Sequence, residues 1–199
     1  MKKKESVDLI RGSIAKSIIW FSIPLLIGNL FQQLYNTVDS YVVGNYVSKQ
    51  ALAAVGASSP IINMLIGFFM GLATGAGVVI AQYYGAEDHN RLKKAVHSSA
   101  ALTIAMALLL TVVGILGTNP MLRAVGIPAD VFPESSTYLK IYFLGISFTL
   151  IYNMGSGILR AIGDSKRPLY FLIVASLVNV VLDFIFVKYL HLGVAGAGY

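Results

Sequence analysis

Two acidic side chains, Asp39 and Asp183, lie inside long apolar segments of this sequence and are its clearest candidates for chemistry. The other seven of the nine acidic residues lie in the N-terminal segment or in the links between apolar segments. An ionised side chain at the middle of a bilayer costs on the order of 3 kcal/mol, so such groups usually face a protein interior or a wet cavity. We therefore interpret the two acids as markers of an ion pathway.

Polar side chains accompany each acid on its own helix face. Asn179 precedes Asp183 by four residues, so the two side chains are neighbours one helical turn apart. On the other helix a polar stripe, with spacings of three, four and three residues, runs through Asn29, Gln32, Asn36 and Asp39. Small hard cations prefer oxygen ligands, which Asp and Asn supply. We expect the two acids and Asn179 to hold a cation, and the three amides of the stripe to line a cavity.

Depth along the two helices places the acids at a common level. Asn45 and Lys188 mark the expected outer ends of the two helices. Asp39 is six residues before Asn45, and Asp183 is five residues before Lys188. At 1.5 Å per residue, both acids lie roughly 8–9 Å inside the outer boundary. One cavity in the outer half of the membrane would then hold both, and neighbouring carboxylates are also able to carry a proton. The alternative is structural, because polar side chains can simply hydrogen-bond helices together.

The segments that carry these residues predict membrane-spanning helices. Hydrophobic residues make up 56% of the 199-residue chain and charged residues 12%, against about 25% charged in soluble domains. A span needs about 20 apolar residues, and the candidates are Ile18–Val43, Ala51–Tyr84, Val96–Leu116, Tyr138–Leu159 and Leu169–Val187. Residues 1–17 are expected to form a cytoplasmic or interfacial N-terminal segment, and residues 192–199 to begin a sixth helix. The expected fold is an all-α membrane protein, a polytopic transmembrane helix bundle.

Lysine and arginine residues orient this bundle. The N-terminal segment and the alternate links, which include Arg91, Lys93 and Lys94, hold eleven of the 15 basic residues. The links on the other side hold the remaining four: Lys49, Arg123, Lys140 and Lys188. The positive-inside rule therefore predicts a cytoplasmic N-terminus.

Helix breakers mark two of the links. The outer link between helices 3 and 4 is expected to contain Asn119, Pro120, Pro128 and Pro133. The inner turn between helices 4 and 5 is expected to be closed by Gly163, Asp164 and Pro168.

Prolines and glycines also shape the helices themselves. Helix 2 is long enough to need a tilt, a break at Pro60 or an end outside the membrane. Pro24 is expected to kink helix 1, either as a hinge or as a static bend. Gly67, Gly71 and Gly75 repeat every four residues, which predicts a face for close helix packing.

Several functional classes are excluded. The chain has no cysteine, so disulfides, thiolate metal sites and cysteine nucleophiles do not occur. The net charge of +6 does not indicate nucleic acid, because the basic residues sit between apolar segments. There is no nucleophile elbow, metalloprotease motif or P-loop. We therefore expect no enzyme and no catalytic residues, and coupling to an ion gradient rather than to ATP.

Three motifs, in order along the chain, resemble those of the multidrug and toxic compound extrusion (MATE) family. Ile23–Leu25 with Tyr35–Asp39 looks like its first helix. Ala81–Ala86, followed by a basic patch, is similar to its link between helices 2 and 3. Leu159–Lys166 resembles its signature between helices 4 and 5.

The resemblance implies an antiporter that exports organic, often cationic, compounds across the cell inner (plasma) membrane, with Na⁺ or H⁺ as coupling ion and no cofactor. Family members have two six-helix lobes, so residues 18–199 would be an N-terminal lobe whose partner is a C-terminal lobe not included here. The aspartate of the family cation site matches Asp39, and its asparagine and second aspartate match Asn179 and Asp183. Cation binding there is thought to bend helix 1. A sixth-helix threonine of that site has no counterpart in these residues.

Two other functions remain open from the sequence. The first is a lipid or glycan-precursor flippase of the same superfamily, for which more basic residues in the spans are expected. The second is a non-transporting membrane scaffold, in which the two acids would face Lys or Arg of a partner helix. The sequence does not choose between Na⁺ and H⁺, and it does not identify the substrate.

The topology is testable by cysteine labelling, which the cysteine-free sequence makes free of background. We expect Ala129→Cys, in the outer link, to react with a membrane-impermeant maleimide in intact cells. Asn90→Cys, in the inner link, should react only after the membrane is permeabilised, since it faces the cytoplasm. The reverse pattern would overturn the predicted orientation.

Overall fold

A computed structural model describes residues 14–190 and 192–198 of the chain. They form α1 (Ile14–Tyr46), α2 (Lys49–Gly85), α3 (His89–Ala124), α4 (Phe132–Ala161), α5 (Lys166–Asp183), a π-helical segment (Phe184–Tyr189) and α6 (Val194–Gly198). Five of the helices, one of them α5 extended by the π segment, are long and apolar enough to cross a membrane. The predicted all-α bundle is therefore confirmed. The expected N-terminal segment lies outside the described residues except for residues 14–17, which belong to α1.

The helices extend well beyond the predicted spans, so several predicted link residues are helical. Arg91, Lys93 and Lys94 lie in the first two turns of α3, and Asn119 and Pro120 lie before its end at Ala124. The 36 residues of α3 are about 54 Å long, which exceeds the hydrocarbon thickness of about 30 Å. The prediction failed because hydropathy falls where the hydrocarbon ends, whereas backbone hydrogen bonding continues through the interface.

Prolines are tolerated where the sequence suggested breaks. Pro133 and Pro168 lie in the first turns of α4 and α5, where an amide N–H would lack a helical partner in any case. Of the three alternatives for the long helix 2, a break at Pro60 does not occur, because α2 runs unbroken from Lys49 to Gly85. Pro24 is buried within α1, which also continues through it. The role of Pro24 as a hinge remains a prediction.

The inner turn between α4 and α5 joins a helix end directly to a helix start. Gly163 adopts φ +86°, and the N–H groups of Gly163 and Asp164 donate to the carbonyls of Arg160 and Leu159 at 3.0 and 2.9 Å. This is a Schellman motif, which glycine permits because it lacks a Cβ. The Asp164 carboxylate then accepts from the N–H groups of Lys166 and Arg167 at 3.2 and 3.1 Å. The predicted turn at Gly163 and Asp164 is confirmed.

The apolar core lies between α2, α3 and α4. Phe143, Leu139 and Ile146 of α4 are fully buried or nearly so, and Leu122 of α3 and Phe69 of α2 pack into the same cluster. α4 is central to this core because it packs extensively on both α2 and α3; it also contacts α5 and α6. Most large apolar side chains elsewhere are exposed, as in the case of Leu116 and Phe148, which is expected for helices that face lipid.

The predicted glycine packing face of α2 is wrong within the described residues. A Cβ at Gly67, Gly71 or Gly75 would meet no atom within 4 Å. Close packing of α2 on α4 instead uses Gly157, where a Cβ would lie 3.4 Å from the Ala73 carbonyl oxygen. A repeat of small residues allows close approach, but the neighbouring helices decide which face is used.

α1 packs mainly on α5, and its outer end contacts the π segment. The Tyr46 ring lies edge-on to Phe184, with 6.1 Å between ring centroids. The ammonium nitrogen of Lys188 lies 5.2 Å from the centroid of the Tyr46 ring, a distance at which the cation is attracted to the ring. These contacts fix the outer end of α1 against the segment that follows Asp183.

The contact of α3 with α4 gives a stability prediction. A Cβ at Gly114 would overlap the fully buried ring of Phe143. We expect Gly114→Ala to lower the free energy of unfolding by about 1–3 kcal/mol, because the ring has no space into which to move. Thermal loss of helical circular dichroism in detergent measures the effect. Gly145→Ala is the matched control in α4, because a Cβ there meets nothing within 4 Å. Equal melting temperatures for the two variants would contradict the packing described.

Candidate functional site

The packing of α1 on α5 brings the two intramembrane acids together. Asp39 lies on α1, two turns before its outer end, and Asp183 is the last residue of α5. The two carboxyl groups are close enough to interact electrostatically. Asp183 is only 3% exposed, and Asp39 is half-buried. Residue counting placed both acids at a common level, and the structure places them within electrostatic range of each other.

Three oxygens at this position are shielded from solvent and have no hydrogen-bond partner among the described residues. They are Oδ1 of Asp39, Oδ1 of Asn179 and Oδ2 of Asp183. Buried polar atoms in native proteins nearly always have partners, so each exception requires an explanation such as an ion. The three side chains that carry these oxygens are the three that the sequence selects.

Asp183 lies at a change in backbone geometry. α5 ends at this residue, and the next six residues are π-helical, with the Leu190 N–H donating to the Ile185 carbonyl at 2.9 Å. π-helical turns are rare and occur frequently at functional sites. The sequence predicted an ordinary helix through Val187, and no residue pattern in 184–189 marks the change. α6 packs closely on this segment, since a Cβ at Gly196 would lie 3.1 Å from the Phe186 carbonyl carbon.

Two tyrosines near the acids were not identified from the sequence. Tyr138 of α4 is 9% exposed and lies within electrostatic range of both Asp39 and Asp183. Tyr35, one turn before Asp39 on α1, is also within range of that acid. The sequence signal was only the position of Tyr138 at the outer end of predicted helix 4, on the same side of the membrane as the acids. A third helix, α4, thus lies near the two acids.

The predicted cavity-lining amides lie on the open side of α1. Asn29, Gln32 and Asn36 are all exposed, together with Leu30 and Leu34. At 1.5 Å per residue the stripe extends about 15 Å from the level of Asp39 toward the inner side. Amides at this depth are costly against lipid, so this face of α1 suits a wet cavity or another protein segment.

The chemistry of the donor set fits a small hard cation or a proton. The two carboxylates and the amide carbonyl offer oxygen ligands, which hard cations prefer. No group of three or more His, Cys, Asp or Glu side chains with the arrangement of a metal site occurs in residues 14–190 and 192–198. A cation between the carboxylates would also relieve their mutual repulsion.

Comparison with known proteins places this arrangement in a family. The family model described as MatE matches residues 24–185. "Probable multidrug resistance protein YpnP" of Bacillus subtilis is 32% identical over 195 residues, which are 98% of this chain and 44% of that protein. "Multidrug export protein MepA" of Staphylococcus aureus is 25% identical over 197 residues, with shares of 99% and 44%. The chain thus spans less than half the length of these relatives.

Solved structures agree with the sequence matches. A MOP superfamily transporter from Pyrococcus furiosus, whose binding pocket is described as having reverse polarity, superposes with a TM-score of 0.92 at 31% identity. MATE crystal structures in the bent and the straight conformation each give a TM-score of 0.90, at 31% and 32% identity. All three superpositions cover 100% of this chain and 44% of the other. Sequence and structure together show that this chain belongs to the MATE family of multi-pass membrane transporters.

Proposed function

We propose that this chain is the cation-coupling lobe of an antiporter that exchanges Na⁺ or H⁺ for organic compounds, exporting them across the cytoplasmic membrane. The observation that carries the proposal is the set of three buried, unpartnered oxygens of Asp39, Asn179 and Asp183. They come from two different helices, α1 and α5, so binding of one cation would change how these helices attract each other. Such a site couples ion binding to helix position.

Electrostatics supplies the coupling. Without a counter-charge, two ionised carboxylates within range repel each other, and the low dielectric of a helix bundle strengthens the repulsion. A bound Na⁺ or proton removes it and favours the packed arrangement of α1 on α5. Among the described residues no Lys or Arg forms an ion pair with either acid, so the counter-charge comes from outside this part of the chain.

The polar face of α1 supports organic, cationic substrates. Its intramembrane polar groups are the neutral amides Asn29, Gln32 and Asn36, and the basic residues of the described helices lie toward helix ends. An organic cation would therefore meet amide oxygens and apolar surface without like-charge repulsion. A flippase for anionic lipid headgroups would need basic groups at the same depth. A scaffold would need a basic partner for the two acids.

Cation binding is expected to stabilise the purified protein. A ligand present at 100 times its dissociation constant adds about 2.7 kcal/mol to the free energy of unfolding. The melting temperature in detergent should rise when NaCl replaces choline chloride at equal ionic strength, or when the pH is lowered, according to the ion used. Asp183→Asn and Asn179→Leu should weaken the dependence on cation concentration by about 10–100-fold, as is usual for groups at metal sites.

Asp130→Asn is the matched control for this measurement. Asp130 is an exposed carboxylate in the connection between α3 and α4, so its neutralisation should leave the cation-induced shift unchanged. A shift that persists in Asp183→Asn, or that disappears equally in Asp130→Asn, would show that cations act on the surface of the protein and not at the site.

Transport is expected to depend on both acids. The gene product that contains this chain should raise drug tolerance in a drug-sensitive bacterium that lacks its own efflux pumps. Asp39→Asn and Asp183→Asn should each reduce ion-dependent efflux of a cationic dye by about tenfold or more, because each removes a charge from the cation site. Equal efflux in the wild type and both variants, at matched membrane levels, is the outcome that removes these residues from the mechanism.

A second substrate, an anionic phospholipid, distinguishes the flippase alternative from the antiporter. Proteoliposomes that contain both a cationic dye and a fluorescent anionic phospholipid allow the two activities to be compared in one preparation. Movement of the dye driven by an imposed ion gradient supports the antiporter. Movement of the phospholipid without the dye supports the flippase.

A further inference from the structure

A pocket lies toward the end of the bundle opposite the two acids. It has a volume of about 310 Å³, is open on one side, and is lined by α2 and α4 near their inner ends, beside the close contact of Gly77 with Gly157. A volume of this size is at the lower end of the range for pockets that bind small molecules. None of the residues proposed above for the cation site lines it.

Arg160 is the only charged residue in the lining of this pocket. Its side chain is half-buried, and its Nε donates to the Ser156 carbonyl at 3.1 Å, which holds the guanidinium in place. The ion pairs within residues 14–190 and 192–198 join Arg91 to Asp88 and Arg167 to Asp164, and none involves Arg160. The terminal guanidinium nitrogens are therefore available to an anion, for which their planar geometry is suited.

The charge of the lining is confined to its inner end, and the deeper lining is uncharged and mostly apolar. Arg160 is next to the last residue of α4, whereas Asn153, two turns earlier, lies about 10 Å deeper. Met70, Val78 and Ala81 of α2 supply most of the apolar wall. The two uncharged polar side chains of the lining are satisfied by their own helices: Thr74 Oγ1 donates to the Met70 carbonyl at 2.7 Å, and Asn153 Nδ2 donates to the Thr149 carbonyl at 3.0 Å.

This gradient matches an amphiphile and not a free anion. A ligand with its charge at Arg160 and an apolar part toward Met70 has the orientation of a phospholipid in the inner leaflet. The inner ends of α3 and α5 add Lys93, Lys94 and Lys166, and such basic clusters at the cytoplasmic surface attract anionic lipids. Basic pockets between membrane helices on this side are known to bind acidic lipid headgroups.

We propose that the pocket binds one anionic phospholipid of the inner leaflet, with the phosphate on Arg160 and the upper acyl chain against Met70, Val78 and Ala81. Arg160 sits at the level of the headgroups, and a single phosphate supplies the single negative charge that the pocket lacks. The lipid would fill the space between the inner ends of α2 and α4 and stabilise their packing. This binding does not depend on the proposed transport function.

Native mass spectrometry of the purified protein, with phosphatidylglycerol and phosphatidylcholine added separately, tests the proposal. We expect the wild type to bind one phosphatidylglycerol about tenfold more tightly than phosphatidylcholine, because only the former carries a net negative charge. Arg160→Gln should lower the affinity for phosphatidylglycerol to that for phosphatidylcholine, and Arg160→Lys should retain part of the preference.

Arg91→Gln is the matched control, since Arg91 is an exposed inner-side arginine that is already paired with Asp88. Ala81→Phe is a second variant, which fills the apolar part of the pocket while leaving Arg160 unchanged, and it should also weaken lipid binding. Circular dichroism and gel filtration establish that each variant is folded.

Four outcomes would overturn the proposal. An undiminished preference for phosphatidylglycerol in folded Arg160→Gln would place the lipid elsewhere. An equal loss in Arg91→Gln would indicate a diffuse surface charge effect. Competition by free glycerol phosphate at concentrations similar to those of the lipid would indicate a site for a soluble anion. If the wild type shows no preference for phosphatidylglycerol, the partner of Arg160 would be a protein carboxylate and not a lipid phosphate. This result would also contradict the proposal.

Discussion

The carboxyl groups of Asp39 and Asp183 lie within electrostatic range of each other at the outer end of an apolar bundle. Desolvation and mutual repulsion both disfavour the ionised form of these groups. Each acid belongs to a different helix, so the packing of α1 on α5 sets the distance between them. No described side chain is hydrogen-bonded to Oδ1 of Asp39 or Oδ2 of Asp183, and in the proposed function a cation or proton supplies the counter-charge. Under that proposal the arrangement of the two helices depends on the charge state of the site, which is the physical requirement for ion coupling.

The remaining helices supply a stable frame against which α1 and α5 are positioned. The apolar core joins α2, α3 and α4, and the most deeply buried large side chain, Phe143, belongs to the central helix α4. The same helix carries Tyr138 to the acids, so the core and the site share one element. At the outer end, Tyr46 of α1 contacts Phe184 and Lys188 of the π segment. The two acids thus lie near α4 and the π segment, while one face of α1 stays exposed.

The two ends of the bundle have opposite chemistry. The outer half holds two acids and their amide neighbour, which suits a cation that arrives from outside. The inner end presents Arg160 in the lining of a mostly apolar pocket, and further basic residues lie at the starts of α3 and α5. This polarity follows the membrane itself, because the inner leaflet is rich in anionic headgroups. The charge distribution thus underlies the predicted orientation of the chain and the ligand proposed for each end.

The sequence by itself determined the class of fold and the three residues of the candidate site. Long apolar segments predict membrane helices, because a helix satisfies its own backbone hydrogen bonds in lipid. An acid or amide inside such a segment indicates a site, because burial of a polar side chain in the membrane is costly. Helical spacing within each segment was enough to place Asn179 beside Asp183 on one helix and to align Asn36 with Asp39 on the other. Helix ends were predicted less well, as Asn119 and Pro120 show, since composition reports the hydrocarbon boundary and not the end of backbone hydrogen bonding.

Only the tertiary structure decided what depends on contacts between helices. It brought Tyr138 to the acids, placed the π segment after Asp183 and showed that Gly157, rather than the Gly67 repeat, serves the close approach of α2 and α4. Periodicity gives the faces of each helix, but the rotation and the neighbours of that helix follow from the packing of all side chains at once. The pocket at Arg160 belongs to the same category, because its walls come from residues about 80 positions apart in the chain.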